Sequence, residues 1–397
     1  MRATTRLNKD HRGVTMRFSA IIASLVGTLA SAGPLWAQGA PLPWGQSSDM
    51  LAWQVFTQIA GPAGIPGVKR VVFETWASDP DIYVAAGATP KWPDISQPKL
   101  LQASQLGLVR NSLKPMPHII TPGECQPPND PKAGNFPANQ CIGEEVRRNW
   151  SSFQYIVANK LYSIAGLKQA FVDKLNVDFP ADAIEVKADW VKVPVVVEWI
   201  NSTIKPNPPL TADSVRNLYY TNTASDGQEY ALVGLAISSK QVKDWLWATF
   251  EHQLSPGRCD DVGCHDNFAA ATANVAPKNI NGGKANQYYG TCPRNKAGAA
   301  LLESAGLSPV WANYCLKGSQ IAFMAGSKPT ILGNSVVERI NAGVPILKSS
   351  CITCHSYAAF DNSGSANGVF GGVGNPDKSH MQGMSQNDFI WGLLGAN

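Results

Sequence analysis

Apolar positions Leu51, Val55 and Ile59 recur every four residues, which predicts a helix that Ser48 can cap and Gly61-Pro62 stops. Residues 61–67 form a loop by composition, and Val71 to Trp76 reads as a strand. The Pro-, Asn- and Gly-rich stretch from Pro80 to Cys141 shows little periodicity and predicts long surface loops. Val146, Trp150, Phe153, Val157, Leu161, Ile164, Phe171 and Leu175 then keep three- and four-residue steps, the signature of a helix broken near Gly166. Ile184, Val186, Ala188 and Trp190 alternate with Glu185, Lys187 and Asp189, which predicts a half-buried strand. Val193–Ile200, Tyr230–Ser239 and Trp245–His252 are further runs of strand length, and residues 255–330 read as irregular. Asn334 or Ser335 caps a short helix through Ala342. The pattern predicts an α+β fold: a β-rich body, either an antiparallel sheet or a sandwich, with flanking helices and a small α-helical segment at its C-terminal end.

The first residues change this picture. Arg2, Arg6, Lys9, Arg12 and Arg17 precede an apolar run from Phe18 to Ala32, which reads as a secretory signal with a cut after Ala37. The chain has 33 basic and 29 acidic residues; five of the former and one of the latter lie in the leader, leaving 28 of each. The basic excess therefore carries no argument for a nucleic-acid partner, and no later stretch is long enough for a membrane span. Eight cysteines fit an oxidising compartment, which makes the expected location the periplasm. Neighbour pairing gives Cys125–Cys141, Cys259–Cys264 and Cys292–Cys315 as the simplest disulfide set, among fifteen connectivities.

Two cysteines remain, in Cys351-Ile-Thr-Cys354-His355. This is the attachment spacing for one covalent haem c: two thiols add to the vinyl groups of one porphyrin edge, and the adjacent imidazole becomes an axial iron ligand. No second CxxC completes a zinc site, and no βαβ pattern surrounds the pair as a dithiol redox centre requires. Cys259, Cys264 and His265 have a four-residue spacing that could hold a second haem; a short-loop disulfide is the preferred reading. For the other axial position, Met381 is the first candidate and Met384 the second, because Ser385 to Asp388 looks like a helix cap that staples Met384 onto Phe389. His380, and in the body His118, His252 and His265, remain as further candidates.

Residues 334–397 resemble a class I cytochrome c: a leading helix, the pentad, a loop, a methionine, and a closing helix through Phe389, Trp391 and Leu394. The resemblance places the proximal histidine at His355 and the distal methionine most naturally at Met381. At 64 residues the segment is short for that family, so the haem is expected to dock against the body, residues 38–333. More broadly the chain resembles exported bacterial monohaem cytochromes. The resemblance implies single-electron transfer with periplasmic redox partner proteins. The alternatives are a haem-dependent oxidoreductase whose body binds substrate, and a haem-based ligand sensor. Other motifs carry nothing. The glycines of 368–374 follow no strand, Ser202 to Lys205 fits S-x-x-K without its companions, and most of the twelve tryptophans lie in strand or helix patterns, where they are expected to fill the core.

Overall fold

Ser47, one residue before the expected cap, starts the first helix: its hydroxyl accepts from the Met50 N–H at 3.1 Å. In this computed structural model, which describes residues 47–66, 70–94, 130–224, 226–280, 286–366 and 371–396, that helix is α1, Ser48–Ala60. The expected leader with its cut after Ala37, and His118 and Cys125, lie outside the described residues. Val71–Trp76 is not a strand. It folds as a 3-10 turn, Val72–Thr75, because Glu74 turns inward: its carboxylate accepts the Val71 N–H at 3.2 Å and also hydrogen-bonds Tyr220 and Asn222. Strand β1 (Ala77–Ser78) and α2 (Asp79–Ile82) follow.

The long helix expected from Val146 to Leu175 divides into three elements. Strand β2 (Gly143–Arg148) ends at Asn149, whose side chain accepts the Ser152 N–H at 3.1 Å and caps α3 (Trp150–Ala158). The break falls at 159–163, where Lys160 has φ 56°, and not at Gly166, which sits in α4 (Ile164–Val172) and receives the Ser163 cap. Strand β3 (Ile184–Lys192) matches expectation, but Val193–Ile200 is helical, within α5 (Val193–Thr203). Pro194 at its start suits a first helical turn, and the buried Val193, Val196, Trp199 and Ile200 keep a three- to four-residue step that the continuous apolar run conceals. Next come α6 (Ala212–Leu218), β4 (Thr221–Thr223), β5 (Glu229–Ser239) and β6 (Leu246–His252). The β7–β8 ribbon (Cys264–His265, Asn274–Val275), α7 (Lys296–Ser304) and β9 (Tyr314–Gln320) lie in the stretch that reads as irregular. The β10–β11 ribbon (Met324–Ala325, Lys328–Pro329) and a π-helical segment, Ser335–Asn341, precede α8 (Cys351–Ser356), and β12 (Ala359–Phe360) later pairs with β13 (Ser385–Gln386).

Seven of these strands form one antiparallel sheet, in the order β1-β2-β3-β5-β6-β9 with β4 beside β5, so among the described residues the body is built on one large sheet with two-stranded ribbons beside it, and not on a sandwich. Helix α1 covers one face, where Trp53 and Phe56 pack on Phe250. The alternation in β3 places Glu185, Lys187 and Asp189 on the second face, yet that face is not open to solvent. Glu185 and Asp189 are buried, and neighbours on β2 pair with Glu185 and Lys187: Arg148 Nε meets Glu185 at 2.6 Å, and Glu144 meets Lys187 Nζ at 3.2 Å. The half-buried strand expected here is thus covered on both sides. Asn334 closes this layer by donating to Thr249 Oγ1 at 2.8 Å, and the Ser335 N–H reaches Glu251 at 2.8 Å. Gly234 permits the approach, because a Cβ there would meet Asn334 and Val337 at 3.3–3.4 Å. Cys259–Cys264 and Cys292–Cys315 are joined as expected; Cys141 is disulfide-bonded too, and its expected partner Cys125 is outside the described residues. No helix among the described residues is long and apolar enough to cross a membrane.

His252, fully buried at the end of β6, has both ring nitrogens engaged. Nε2 donates to the Leu218 carbonyl at 3.1 Å, Nδ1 accepts the Leu254 N–H at 3.2 Å, and the ring stacks on Tyr219. That removes it as an axial-ligand candidate. Burial, with Arg258 as a lesser cause, pulls it down to about 3 from 6.5, so below 6.5 only the unfolded chain takes up its proton. This group should therefore withdraw about 1.4 kcal/mol of stability per pH unit as pH falls from 6.5 toward 3. Urea titrations of the wild type and His252→Gln between pH 7 and 4 check this. Their stability difference should shrink steadily with acid, and a constant difference would contradict the neutral buried imidazole.

Candidate functional site

The pentad forms α8, and the helix turns its five residues into two faces. Ile352 and Thr353 point into the protein and are buried, while Cys351, Cys354 and His355, at spacings of three and four, share a half-exposed face. The buried side is held by named contacts from three directions. From β9, Gln320 accepts the Ile352 N–H at 3.3 Å and donates to Ser350 Oγ at 3.2 Å. Thr353 Oγ1 donates to the Gly374 carbonyl at 2.6 Å, and Trp391 Nε1 donates to the Cys354 carbonyl at 3.2 Å. The helix therefore rests on the second face of the sheet, against Trp247 of β6, whose ring centre lies 4.4 Å from that of His355.

His355 has a defined orientation. Its Nδ1 donates to the Phe389 carbonyl at 2.8 Å, which fixes the tautomer and leaves the lone pair on Nε2. Burial lowers its pKa to about 4, with the Phe389 carbonyl opposing, so the ring is neutral at pH 7. An imidazole with its second nitrogen anchored on a backbone carbonyl is the form in which histidine binds a metal. The sulfurs are equally distinct. Cys351 and Cys354 are free, unlike the other described cysteines. Burial pushes Cys354 up to about 11, and pushes Cys351 well above its ordinary value, where Glu338 adds to the effect. Two half-exposed thiols one helical turn apart, beside an oriented neutral imidazole, fit the donor set of a covalently attached haem.

Met381 is buried at the end of a 3-10 turn, Lys378–Met381, and its sulfur accepts from Gln386 Nε2 at 3.1 Å. That loop is tied to the end of α8 by the Asp377 N–H, which donates to Tyr357 Oη at 2.7 Å, and by the Ala359–Gln386 pairing of β12 with β13. Met384 is half-exposed, and the helix expected to follow it is absent. Asp388 does not cap one, because its carboxylate is drawn into the body by the Phe179 N–H at 2.8 Å and Lys240 Nζ at 2.6 Å. Asp388 and Phe389 both take positive φ, and the chain closes in a 3-10 turn, Trp391–Gly395, in place of a helix. His380 is exposed beside Asp377, and both nitrogens of His265 face carbonyl oxygens, Asn274 Oδ1 at 2.8 Å and Val262 O at 3.0 Å. The Cys259–Cys264 bond occupies both sulfurs that a second haem would need.

Gln320, Trp247 and the Phe389 carbonyl support the site without a sequence signal. Each reaches the pentad across 32 or more residues, and the last through a backbone atom that every residue type carries. No family model, no curated protein and no solved structure matches this chain.

Proposed function

We propose that this protein is an exported c-type cytochrome that holds one haem through Cys351 and Cys354 and passes single electrons to redox partner proteins of the periplasm. The observation that carries the reading is the bond from His355 Nδ1 to the Phe389 carbonyl, on the same half-exposed helical face as two cysteines outside any disulfide. When bound, the haem supplies an Fe(III)/Fe(II) couple. The chain's residues do the rest: Cys351 and Cys354 anchor, and His355 ligates through Nε2. The backing contacts of Gln320, Thr353 and Trp391 keep α8 rigid so that little reorganises on electron transfer. Residues 334–397 serve as the haem-holding segment seated on the sheet, as a class I cytochrome c segment would, and the disulfides suit an oxidising compartment.

Met381 would be the second residue to hold the haem iron, and its thioether would favour the reduced state. The test is an absorption spectrum of the protein matured in an export-competent host, before and after Met381→Ala. The wild type should be low-spin with a sulfur-to-iron band at the red end. Met381→Ala should lose that band and bind carbon monoxide when reduced, while Met384→Ala keeps it. A high-spin wild-type spectrum would instead favour an open iron and the oxidoreductase or sensor reading.

A further inference from the structure

We propose that Lys240 and Asp388 are positioning residues: their ion pair holds a strained stretch of backbone so that the Phe389 carbonyl stays on His355 Nδ1. The role deepens the haem reading above and rests on it for its effect on the iron. Residues 387–391 lie along α8, where the Asn387 N–H donates to the Ala358 carbonyl at 2.8 Å and Trp391 Nε1 donates to the Cys354 carbonyl at 3.2 Å. Between these two contacts, Asp388 and Phe389 take φ 47° and 70°. Left-handed backbone is uncommon outside glycine, asparagine and aspartate, and for a bulky residue such as Phe389 it persists only where surrounding contacts impose it. A return of either residue to the right-handed or extended region would turn the peptide planes and swing the Phe389 carbonyl off the imidazole.

The contacts that impose it come from the body. The Asp388 side chain is 8 % exposed, and its carboxylate accepts from Lys240 Nζ at 2.6 Å, the Phe179 N–H at 2.8 Å and Trp245 Nε1 at 3.3 Å. The Lys240 side chain is 11 % exposed; its other carboxylate, Asp178 at 3.0 Å, is 66 % exposed and so the weaker partner. Trp245 is itself left-handed at φ 62°, so three non-glycine outliers meet at this junction. Lys240 and Trp245 belong to the turn between β5 and β6, and Trp247, two residues on, packs its ring against His355. One turn of the sheet thus fixes the imidazole from two sides, by a ring wall and by an aimed carbonyl. A carbonyl on Nδ1 raises the basicity of Nε2, which favours the oxidised state of an iron held there.

The experiment compares the wild type with Lys240→Met, Lys240→Arg and Asp388→Asn, each as the full chain. Before haem attachment, the ring nitrogen chemical shifts of His355 read which nitrogen carries the proton. The ratio of Nδ1–H to Nε2–H should fall by roughly tenfold in Lys240→Met and Asp388→Asn, the weight of one hydrogen bond, and stay near the wild type in Lys240→Arg. Asparagine tolerates the left-handed region, so Asp388→Asn removes the ion pair and keeps the backbone preference. In the holoprotein the midpoint potential of the same two variants should rise, the reduction equilibrium constant growing by about tenfold. Arg216→Gln, which breaks an exposed ion pair with Glu229, should change neither readout. Should Asp388→Asn not fold, the two Lys240 variants decide. A tautomer ratio that stays at the wild-type value in Lys240→Met, while stability to urea falls, would make the ion pair structural only and overturn the proposal. A shifted ratio with an unchanged potential would overturn the effect on the iron. A protein that matures without haem would overturn the functional reading and leave the tautomer result standing.

Discussion

Cys351→Ala combined with Cys354→Ala should give a folded, exported chain with no covalently bound haem, a complete loss on a denaturing gel stained for haem peroxidase activity. The fold should survive, because neither sulfur belongs to a disulfide, and both side chains lie on the half-exposed face of α8. The variant loses one long contact, from Cys351 Sγ to the Leu332 carbonyl at 3.7 Å, while the contacts of Gln320, Thr353, Trp391 and Phe389 that seat the helix need no cysteine side chain. Alanine is also a strong helix former, so α8 itself is not weakened. Each single variant should keep one thioether and stain weakly. Undiminished staining in the double variant would remove the attachment chemistry from this pentad.

Arg148→Ala should be the most destabilising of the single changes considered, at about 3–5 kcal/mol. The guanidinium is 1 % exposed and serves three partners: Glu185 at 2.6 Å, Asp79 of α2, and the Tyr83 ring 5.4 Å from its centre. It also touches the C-terminal turn, where any Cβ on Gly392 would overlap the guanidinium, so this arginine ties β2, β3, α2 and the last residues together. Its removal strands Glu185 as an uncompensated buried charge, and burial already holds that carboxyl above its ordinary value. Equilibrium urea unfolding measures the loss. Arg148→Met with Glu185→Leu should recover most of it, since replacing both members of a buried pair is far less costly than removing one. A loss below about 1 kcal/mol for Arg148→Ala would mean that the pair behaves as a surface salt bridge.

Where the sequence was legible, local chemistry and tertiary demand agreed. β3, β5 and β6 are rich in β-branched and aromatic residues and lie near their expected bounds. The pentad stands out in the sequence because the chemistry proposed for it depends on three side chains within five residues. Val193–Ile200 was not, since a short apolar run fits a strand and a buried helix equally. The second face of β3 was misread for a different reason. Glu185, Lys187 and Asp189 alternate as solvent-facing residues do, and only the register with β2 reveals that Arg148 lies opposite Glu185 and Glu144 opposite Asp189. The last segment failed similarly. Ser385 to Asp388 has a helix-start composition, but the Lys240 ammonium, 148 residues away, claims the Asp388 carboxylate.

The central claim is that one porphyrin is bonded to α8 by two thioethers, and the most direct measurement is the mass of the intact chain, denatured, after maturation in an export-competent host. The account predicts the mass of the processed chain plus one haem, retained through denaturation. A mass equal to that of the bare processed chain would contradict it.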